Sequence, residues 1–488
     1  MSEQTGLKQK TVSGIIWRFA ERFGAQIVTF IVGIVLARLL DPEDYGIIAE
    51  VTVFITISQV FIDNGLGNAL IQKKNADEID FSTVFFFNIV MCLVLYAILW
   101  AVAPAIAAFY GKDELTAILR VLSLTVVISS VKNIQQAYVS RQMIFKRFFF
   151  ATLGGTLLSA VISILMAYRG FGVWALVAQQ LINVTVDTLI LWITVKWRPI
   201  AAYSWERWRG LFSYGWKLLV SALIDTIYNN LRQLLIGKFY TDADLAYYNR
   251  GKNIPNLLVT NINSSIDSVL LPALSTEQDN AERLKAMTRR AISVSAYIMW
   301  PLMVGLAVIG EPLTRLLLTE KWLPSVPYLR IFCIVSACTP ISTANLNAIK
   351  ASGRSDIFLK LEIIKKTIGL AILIVALRFG VFWVAASLLV YTVIALVLNM
   401  SPNRKLLNYR VGEQLMDVLP SVGVSALMGA IVYAVTLLPI ADIFVVLLGI
   451  LVGAGVYLGG SILFRLPSYR YCKDLALDFL HRRHEKNS

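Results

Sequence analysis

The sequence predicts an all-α polytopic membrane protein with about fourteen transmembrane helices. Two observations lead to this fold class. Of the 488 residues, 57% are hydrophobic and only 16% are charged, which is more apolar surface than a soluble fold can bury. Apolar runs of about 20 residues, the length that crosses a bilayer, recur along the chain with short polar breaks between them.

Lysine and arginine residues divide unevenly between the loops. One set of alternate loops carries most of them, including Lys73, Lys74, Arg404 and Lys405, and the opposite set carries few. By the positive-inside rule, both termini are predicted to lie in the cytoplasm. The formal net charge of +14 is therefore interpreted as topological charge, and no nucleic-acid partner is expected.

Three short motifs recur after about 200 residues, in the same order. Residues 39–46 resemble residues 239–246, residues 62–66 resemble residues 266–270, and residues 171–174 resemble residues 379–382. The matches predict two duplicated six-helix lobes. The predicted organisation is an N-lobe at 1–203, a C-lobe at 204–408, a helix pair at 409–464 and a cytoplasmic basic tail at 465–488.

Polar residues form stripes along one face of the first two helices of each predicted lobe. The cationic members are Arg18, Arg22, Lys217, Arg232, Arg250 and Lys252. The other candidates are Gln26, Gln59, Asp63, Asp225, Asn229, Asn256 and Asp267. Charged side chains are costly in lipid, so we expect these faces to line a water-filled cavity. Two alternatives are hydrogen bonding between helices and, for Arg18 and Arg22, snorkelling to the interface.

The sign of the charge on these stripes favours an anionic cargo, because the cations outnumber the carboxylates. Guanidinium groups bind phosphate oxygens in a bidentate manner, so a diphosphate would suit Arg18, Arg22 and Arg250. The acidic residues Asp63 and Asp225 could instead balance these cations or couple transport to an ion such as H⁺ or Na⁺.

Signatures of enzyme chemistry do not emerge from the sequence. His481 and His484 lie in the polar tail, and the four cysteines show no metal-ligand spacing. No glycine-rich phosphate loop occurs, and no loop is long enough for a catalytic domain. We therefore expect no enzyme activity, no cofactor and no metal site.

Several segments resemble a known family. The basic start that runs into Trp17 and Arg18, the turn at residues 37–46 and the hairpin at residues 171–177 resemble the polysaccharide exporters. These are the Wzx-type flippases of the multidrug/oligosaccharidyl-lipid/polysaccharide (MOP) transporter superfamily, and the sequence is most similar to its colanic-acid-type exopolysaccharide exporters. The likeness covers almost the whole chain.

The resemblance implies two lobes in a MATE-like V-shaped arrangement in the bacterial inner membrane. It also implies that undecaprenyl-diphosphate-linked oligosaccharide moves from the cytoplasmic to the periplasmic leaflet by alternating access. The diphosphate would then bind at Arg18, Arg22, Lys217, Arg250 and Lys252, and a polysaccharide polymerase could act beside the flippase. The alternatives are a multidrug or cation antiporter of the same superfamily and a flippase for the peptidoglycan precursor, lipid II.

Overall fold

The structure is a computed structural model, and it describes residues 2–63, 70, 76–142, 144–278, 280–474 and 477. These residues form α-helices and one short 3-10 helix, and no strand occurs among them. The predicted all-α fold class is confirmed. By their internal contacts the residues divide into two compact units, Met1–Ala246 and Tyr247–Ser488.

The first unit is an assembly of long helices joined by short turns. Its described helices are α1 (Ser2–Leu39), α2 (Pro42–Asp63), α3 (Glu78–Tyr110), α4 (Glu114–Leu122), α5 (Leu124–Gln142), α6 (Lys146–Tyr168), α7 (Val173–Thr194) and α8 (Trp205–Phe239). Helices α6 and α7 pack closely, because a Cβ atom at Gly155 would lie 2.8 Å from the carbonyl oxygen of Asn183. Small residues at such crossings are typical of membrane helix packing.

The second unit begins within helix α9, whose first turn belongs to the first unit. Its described helices are α9 (Asp242–Ser275), α10 (Ala281–Leu318), the 3-10 helix (Glu320–Ser325), α11 (Val326–Ala351), α12 (Ser355–Ala376), α13 (Val381–Met400), α14 (Asn403–Leu406), α15 (Val411–Thr436) and α16 (Asp442–Leu463). Helix α10 packs on α11, α15 and α16, and α13 packs on α11 and α12.

Within the described residues, 11 helical segments are long and apolar enough to cross a membrane. Helices α1, α8 and α12 are not among the 11. The apolar segment of α1, Phe23–Leu39, is counted as a shorter apolar helix, and polar and ionisable residues interrupt the apolar runs of α8 and α12. The predicted number of about fourteen is therefore close to the observed architecture.

The first pair of recurring motifs has the same local structure in both copies. Helix α1 ends two residues before Asp41, and helix α8 ends two residues before Thr241. The backbone amide of Asp41 donates to Asp44 Oδ2 at 3.2 Å, and that of Thr241 donates to Asp244 Oδ2 at 3.4 Å. Each carboxylate thus caps the start of the next helix. The predicted lobe boundary after residue 203 stays a prediction, since α8 packs on α2 and α3 within the first unit.

Candidate functional site

A cluster of ionisable side chains in the first unit joins α2, the turn after α3 and the start of α9. Helix α3 ends at Gly111, whose φ of 74° lies in the left-handed region that glycine adopts without strain. The turn directs Lys112 towards α2, where its Nζ donates to Glu50 Oε1 at 2.8 Å. The same ammonium donates to Oδ1 of Asp242. We call Glu50, Lys112 and Asp242 the latch.

The latch is largely closed to solvent. The side chain of Glu50 is 1% exposed, that of Lys112 is 22% exposed and that of Asp242 is 17% exposed. Glu50 lies on a lipid-length helix, where an unpaired carboxylate would be very costly. The ammonium of Lys112 is therefore the group that makes burial of Glu50 tolerable.

Two glycines allow the backbones around the latch to approach each other. A Cβ atom at Gly46 would lie 2.1 Å from the carbonyl oxygen of Asp242, and one at Gly237 would lie 2.8 Å from Glu50 Oε1. Gln233 on α8 adds a hydrogen bond of 2.6 Å from its Nε2 to the carbonyl oxygen of Ala49. The close contact of α2 with α8 and α9 thus requires the absence of side chains at both glycines.

Lys112 is held in its charged form by these partners. Desolvation lowers the pKa of the ammonium, but hydrogen bonds to Asp242 and Glu50 outweigh it, and the pKa is raised above the ordinary lysine value. Lys112 therefore keeps its positive charge throughout the physiological pH range.

A second buried ion pair joins α5 to α7. Lys132 Nζ lies 3.1 Å from Asp187 Oδ2, and the two side chains are 17% and 9% exposed. One turn earlier on α7, Asn183 Nδ2 donates to Thr156 Oγ1 on α6 at 3.4 Å. These contacts tie three helices together at membrane depth.

The predicted stripe on α8 is mostly exposed within its unit. Lys217, Asp225 and Asn229 are exposed, and Arg232 is half-buried. Of the partners predicted on the first two helices, Gln26 and Gln59 are half-buried. The side chains of Arg18, Arg22 and Asp63 lie outside the described residues.

The predicted residues on α9 divide into two groups. Near its start, the guanidinium of Arg250 lies over the ring of Trp322, 4.6 Å from its centroid, and Lys252 is half-buried. Farther along, Asn256 and Asp267 are exposed, and Asp267 Oδ1 accepts a hydrogen bond from Asn347 Nδ2 at 2.7 Å. The roles predicted for these residues in diphosphate binding and ion coupling stay predictions.

Sequence patterns alone do not reveal Glu50, Lys112, Lys132 or Asp187 as site residues. The sequence does contain an indication of two of these residues. Glu50 and Asp187 are single carboxylates within apolar runs, and such residues are rarely without a partner. The partners themselves are 62 and 55 residues away along the chain. In the part of the chain that the structure describes, no group of three His, Cys, Asp or Glu side chains could hold a metal ion.

Lipid-length helices that carry ionised and polar side chains at membrane depth are typical of multi-pass transporters. The chain is accordingly a multi-pass membrane protein of this class. The family model described as polysaccharide biosynthesis protein matches residues 35–327, more than half of the chain. The chain therefore belongs to the polysaccharide biosynthesis protein family.

Individual relatives agree with this assignment. The chain is 23% identical over 402 residues to the lipopolysaccharide biosynthesis protein WzxC of Escherichia coli, covering 80% of each chain. It is 25% identical over 339 residues to the succinoglycan biosynthesis transport protein ExoT of Rhizobium meliloti, covering 68% of each. Its fold is similar to that of the lipid II flippase MurJ in an inward closed conformation. The TM-score is 0.74 at 15% identity, with 92% of this chain and 99% of the other covered.

Proposed function

We propose that this protein carries undecaprenyl-diphosphate-linked oligosaccharide repeat units from the cytoplasmic to the periplasmic leaflet of the bacterial inner membrane, by alternating access. The observation that carries the proposal is the exposure of polar side chains along α8 and α9, two helices of membrane length. Polar groups at that depth need water or a polar cargo. The names of the relatives, which refer to sugar polymers, support the class of cargo.

Positive charge on α8 supports an anionic head group. Lys217 is exposed, and Arg232 lies four turns farther along the same helix. An ammonium or guanidinium pairs strongly with phosphate oxygens when water is excluded. A diphosphate offers more such oxygens than any other part of the proposed cargo, so we assign the cationic residues to that group.

The latch supports alternating access. Glu50 and Lys112 belong to the first predicted repeat, whereas Asp242 begins the second helix of the second repeat. We infer that the latch closes the periplasmic end of the pathway and that it breaks when the pathway opens there. An ion pair suits this task because charged groups regain hydration on separation, which lowers the cost of opening.

Lipid analysis in a deletion strain tests the cargo. Loss of this protein should leave a lipid-linked oligosaccharide in the cytoplasmic leaflet, and the wild-type gene should restore export. Lys217→Ala should fail to restore it, whereas Arg169→Ala, which removes an exposed cation on a loop, should restore it fully. Full export by Lys217→Ala would contradict the assignment of the α8 cations.

Proteoliposomes separate the proposal from its rivals. The purified protein should move a fluorescent polyprenyl-diphosphate oligosaccharide, and a proton or Na⁺ gradient should accelerate this movement if Asp225 or Asp267 couples to that ion. Transport of cationic dyes without movement of the lipid would favour the antiporter. A strict requirement for the lipid II pentapeptide would favour the peptidoglycan flippase, and faster export in the presence of a polymerase would support that partner.

Cross-linking tests the latch. Ala49→Cys with Gln233→Cys, in a background without the four native cysteines, should form a disulfide that stops transport reversibly. Each single variant should transport normally under the same oxidant. Undiminished transport by the cross-linked protein would contradict a role for this contact in opening.

Cysteine labelling tests the orientation. In the same background, Asp41→Cys should react with an impermeant maleimide in intact cells after outer-membrane permeabilisation, and Arg354→Cys should react only after lysis. The reverse pattern would place both termini in the periplasm.

A further inference from the structure

A cavity of about 690 Å³ lies in the second unit, apart from the latch and the polar stripes. It is formed where α10 ends, where α11 begins and where residues 437–441 connect α15 to α16. This volume falls within the usual range of small-ligand sites, roughly 300–1,000 Å³.

Two arginines and two carboxylates line the cavity. Arg315 lies 3.1 Å from Glu311 and 3.2 Å from Asp442, whereas Arg330 approaches Glu311 only to 3.7 Å. The charges of these four groups sum to zero. Arg330 Nε also donates to the carbonyl oxygen of Ala307 at 3.3 Å, and its side chain is 48% exposed, so it is accessible to a ligand.

The mouth of the cavity is apolar. Five large side chains that line it are exposed by 41% or more of their surface, although side chains of this kind are usually buried in a protein core. They are Ile334, Tyr433, Leu437, Leu438 and Ile440. In a membrane, such a rim contacts acyl chains.

The charged groups lie close to the ends of their helices. At a rise of about 1.5 Å per residue, Glu311 is roughly 10 Å from the end of α10 and Arg330 roughly 6 Å from the start of α11. Asp442 is the first residue of α16. This depth corresponds to the lipid head-group layer, which extends about 5–7 Å beyond the hydrocarbon on each side.

From the zero net charge, the paired arginines and the apolar rim together, we propose that this cavity binds the head group of phosphatidylethanolamine. The lipid phosphate would accept hydrogen bonds from Arg330 and Arg315, and the primary ammonium would donate to Glu311 and Asp442. The acyl chains would then lie on the rim formed by α11 and the 437–441 connection.

The zero net charge decides between head groups. An anionic lipid such as phosphatidylglycerol would meet the arginines but leave both carboxylates facing its phosphate, with no cation of its own to offset them. Phosphatidylcholine carries the right charges, but its quaternary ammonium has no hydrogen to donate. Phosphatidylethanolamine satisfies all four side chains.

Binding of short-chain lipids to the full-length protein in detergent tests the proposal, with native mass spectrometry or intrinsic fluorescence as the readout. Dioctanoyl phosphatidylethanolamine should bind about tenfold more tightly than the matching phosphatidylglycerol or phosphatidylcholine, the value expected for one charge-assisted hydrogen bond. Equal or tighter binding of phosphatidylglycerol, or of a short polyprenyl diphosphate, would overturn the proposal. The wild-type protein alone is sufficient for this comparison.

Variants then locate the site. Arg330→Gln should weaken phosphatidylethanolamine binding about tenfold, and Arg330→Lys, which keeps the charge but not the planar fork, should weaken it less. Glu311→Gln should remove the preference over phosphatidylcholine. Arg378→Gln changes an exposed arginine elsewhere in the second unit and should leave binding unchanged. An equal loss in Arg378→Gln and Arg330→Gln would place the lipid outside the cavity.

Discussion

Glu50 and Arg250 hold the same position in the two repeats, since each is the ninth residue of its helix, α2 or α9. Each contacts the connection that follows the third helix of its repeat. Glu50 pairs with Lys112 after α3, and Arg250 lies over Trp322 after α10. The contact between the second helix and this connection is thus a salt bridge in one copy and a cation–π contact in the other.

In both repeats the second helix packs on this connection, but the chemistry of the contact between them differs. An ion pair that is nearly buried in one copy can separate into two hydrated charges, but a fully buried tryptophan has no comparable hydrated state. We therefore expect the first copy to be the part that opens and the second to be the part that stays packed.

Removing the ammonium from the latch should have the largest effect. Lys112→Met leaves Glu50 buried without a counter-ion and should lower the free energy of unfolding by about 3 kcal/mol, measured by denaturant titration in mixed micelles. Because the pKa of Lys112 is raised in the folded state, the stabilisation is fully present below the ordinary lysine pKa and is lost as the pH rises through the folded value.

The conservative variant is the control for this effect. Lys112→Arg keeps the positive charge and should lose much less stability than Lys112→Met. Equal stability of the wild type and Lys112→Met at neutral pH would show that Glu50 does not depend on this ammonium.

A methyl group added at Gly46 should destabilise the protein by steric overlap, without any change of charge. Its Cβ would overlap the carbonyl of Asp242, so Gly46→Ala should destabilise the protein by about 2 kcal/mol and loosen the contact of α2 with α9. At Gly33, where nothing lies within 4 Å, the same change should stabilise by about 0.5–1 kcal/mol. We expect the thermal unfolding temperature to fall for Gly46→Ala and to rise for Gly33→Ala. Equal changes in the two variants would contradict the close approach of Gly46 to Asp242.

The turns after the third helices offer a smaller test. Gly111 has a φ of 74°, and the corresponding Thr319 has a φ of 77° with a ψ of 173°, a region that β-branched residues rarely adopt. Thr319→Gly should therefore stabilise the second unit by about 1 kcal/mol, and Gly111→Ala should destabilise the first by a similar amount. Destabilisation by Thr319→Gly would show that its side chain contributes more than its backbone costs.

Exchanging the cation over Trp322 should have the smallest effect. Arg250→Lys keeps the charge but loses the planar contact with the ring, at a cost of about 0.5–1 kcal/mol. Arg378→Lys, at an exposed turn, should have no measurable effect on the unfolding midpoint. A loss as large as that of Lys112→Met would mean that the two contacts are equally essential.

Local patterns predicted much of this fold. The lipid-length apolar runs correspond to helices because each span satisfies its own backbone hydrogen bonds. The recurring acidic turns were recognised from residues 39–46 and 239–246, and Asp44 and Asp244 indeed cap helices in the same way. The exposed polar residues of α8 and α9 were found by their spacing along one helical face.

The sequence by itself determined which segments are helical, where they turn and which faces are polar, because each of these properties depends on neighbours within a few residues. Only the tertiary structure decided that Lys112 meets Glu50 and Asp242, which are 62 and 130 residues away. It also decided that Arg250 lies over Trp322 and that four charged groups of the second unit surround one cavity. Ion pairing between distant helices depends on how they pack, and hydropathy and spacing contain no information about that packing.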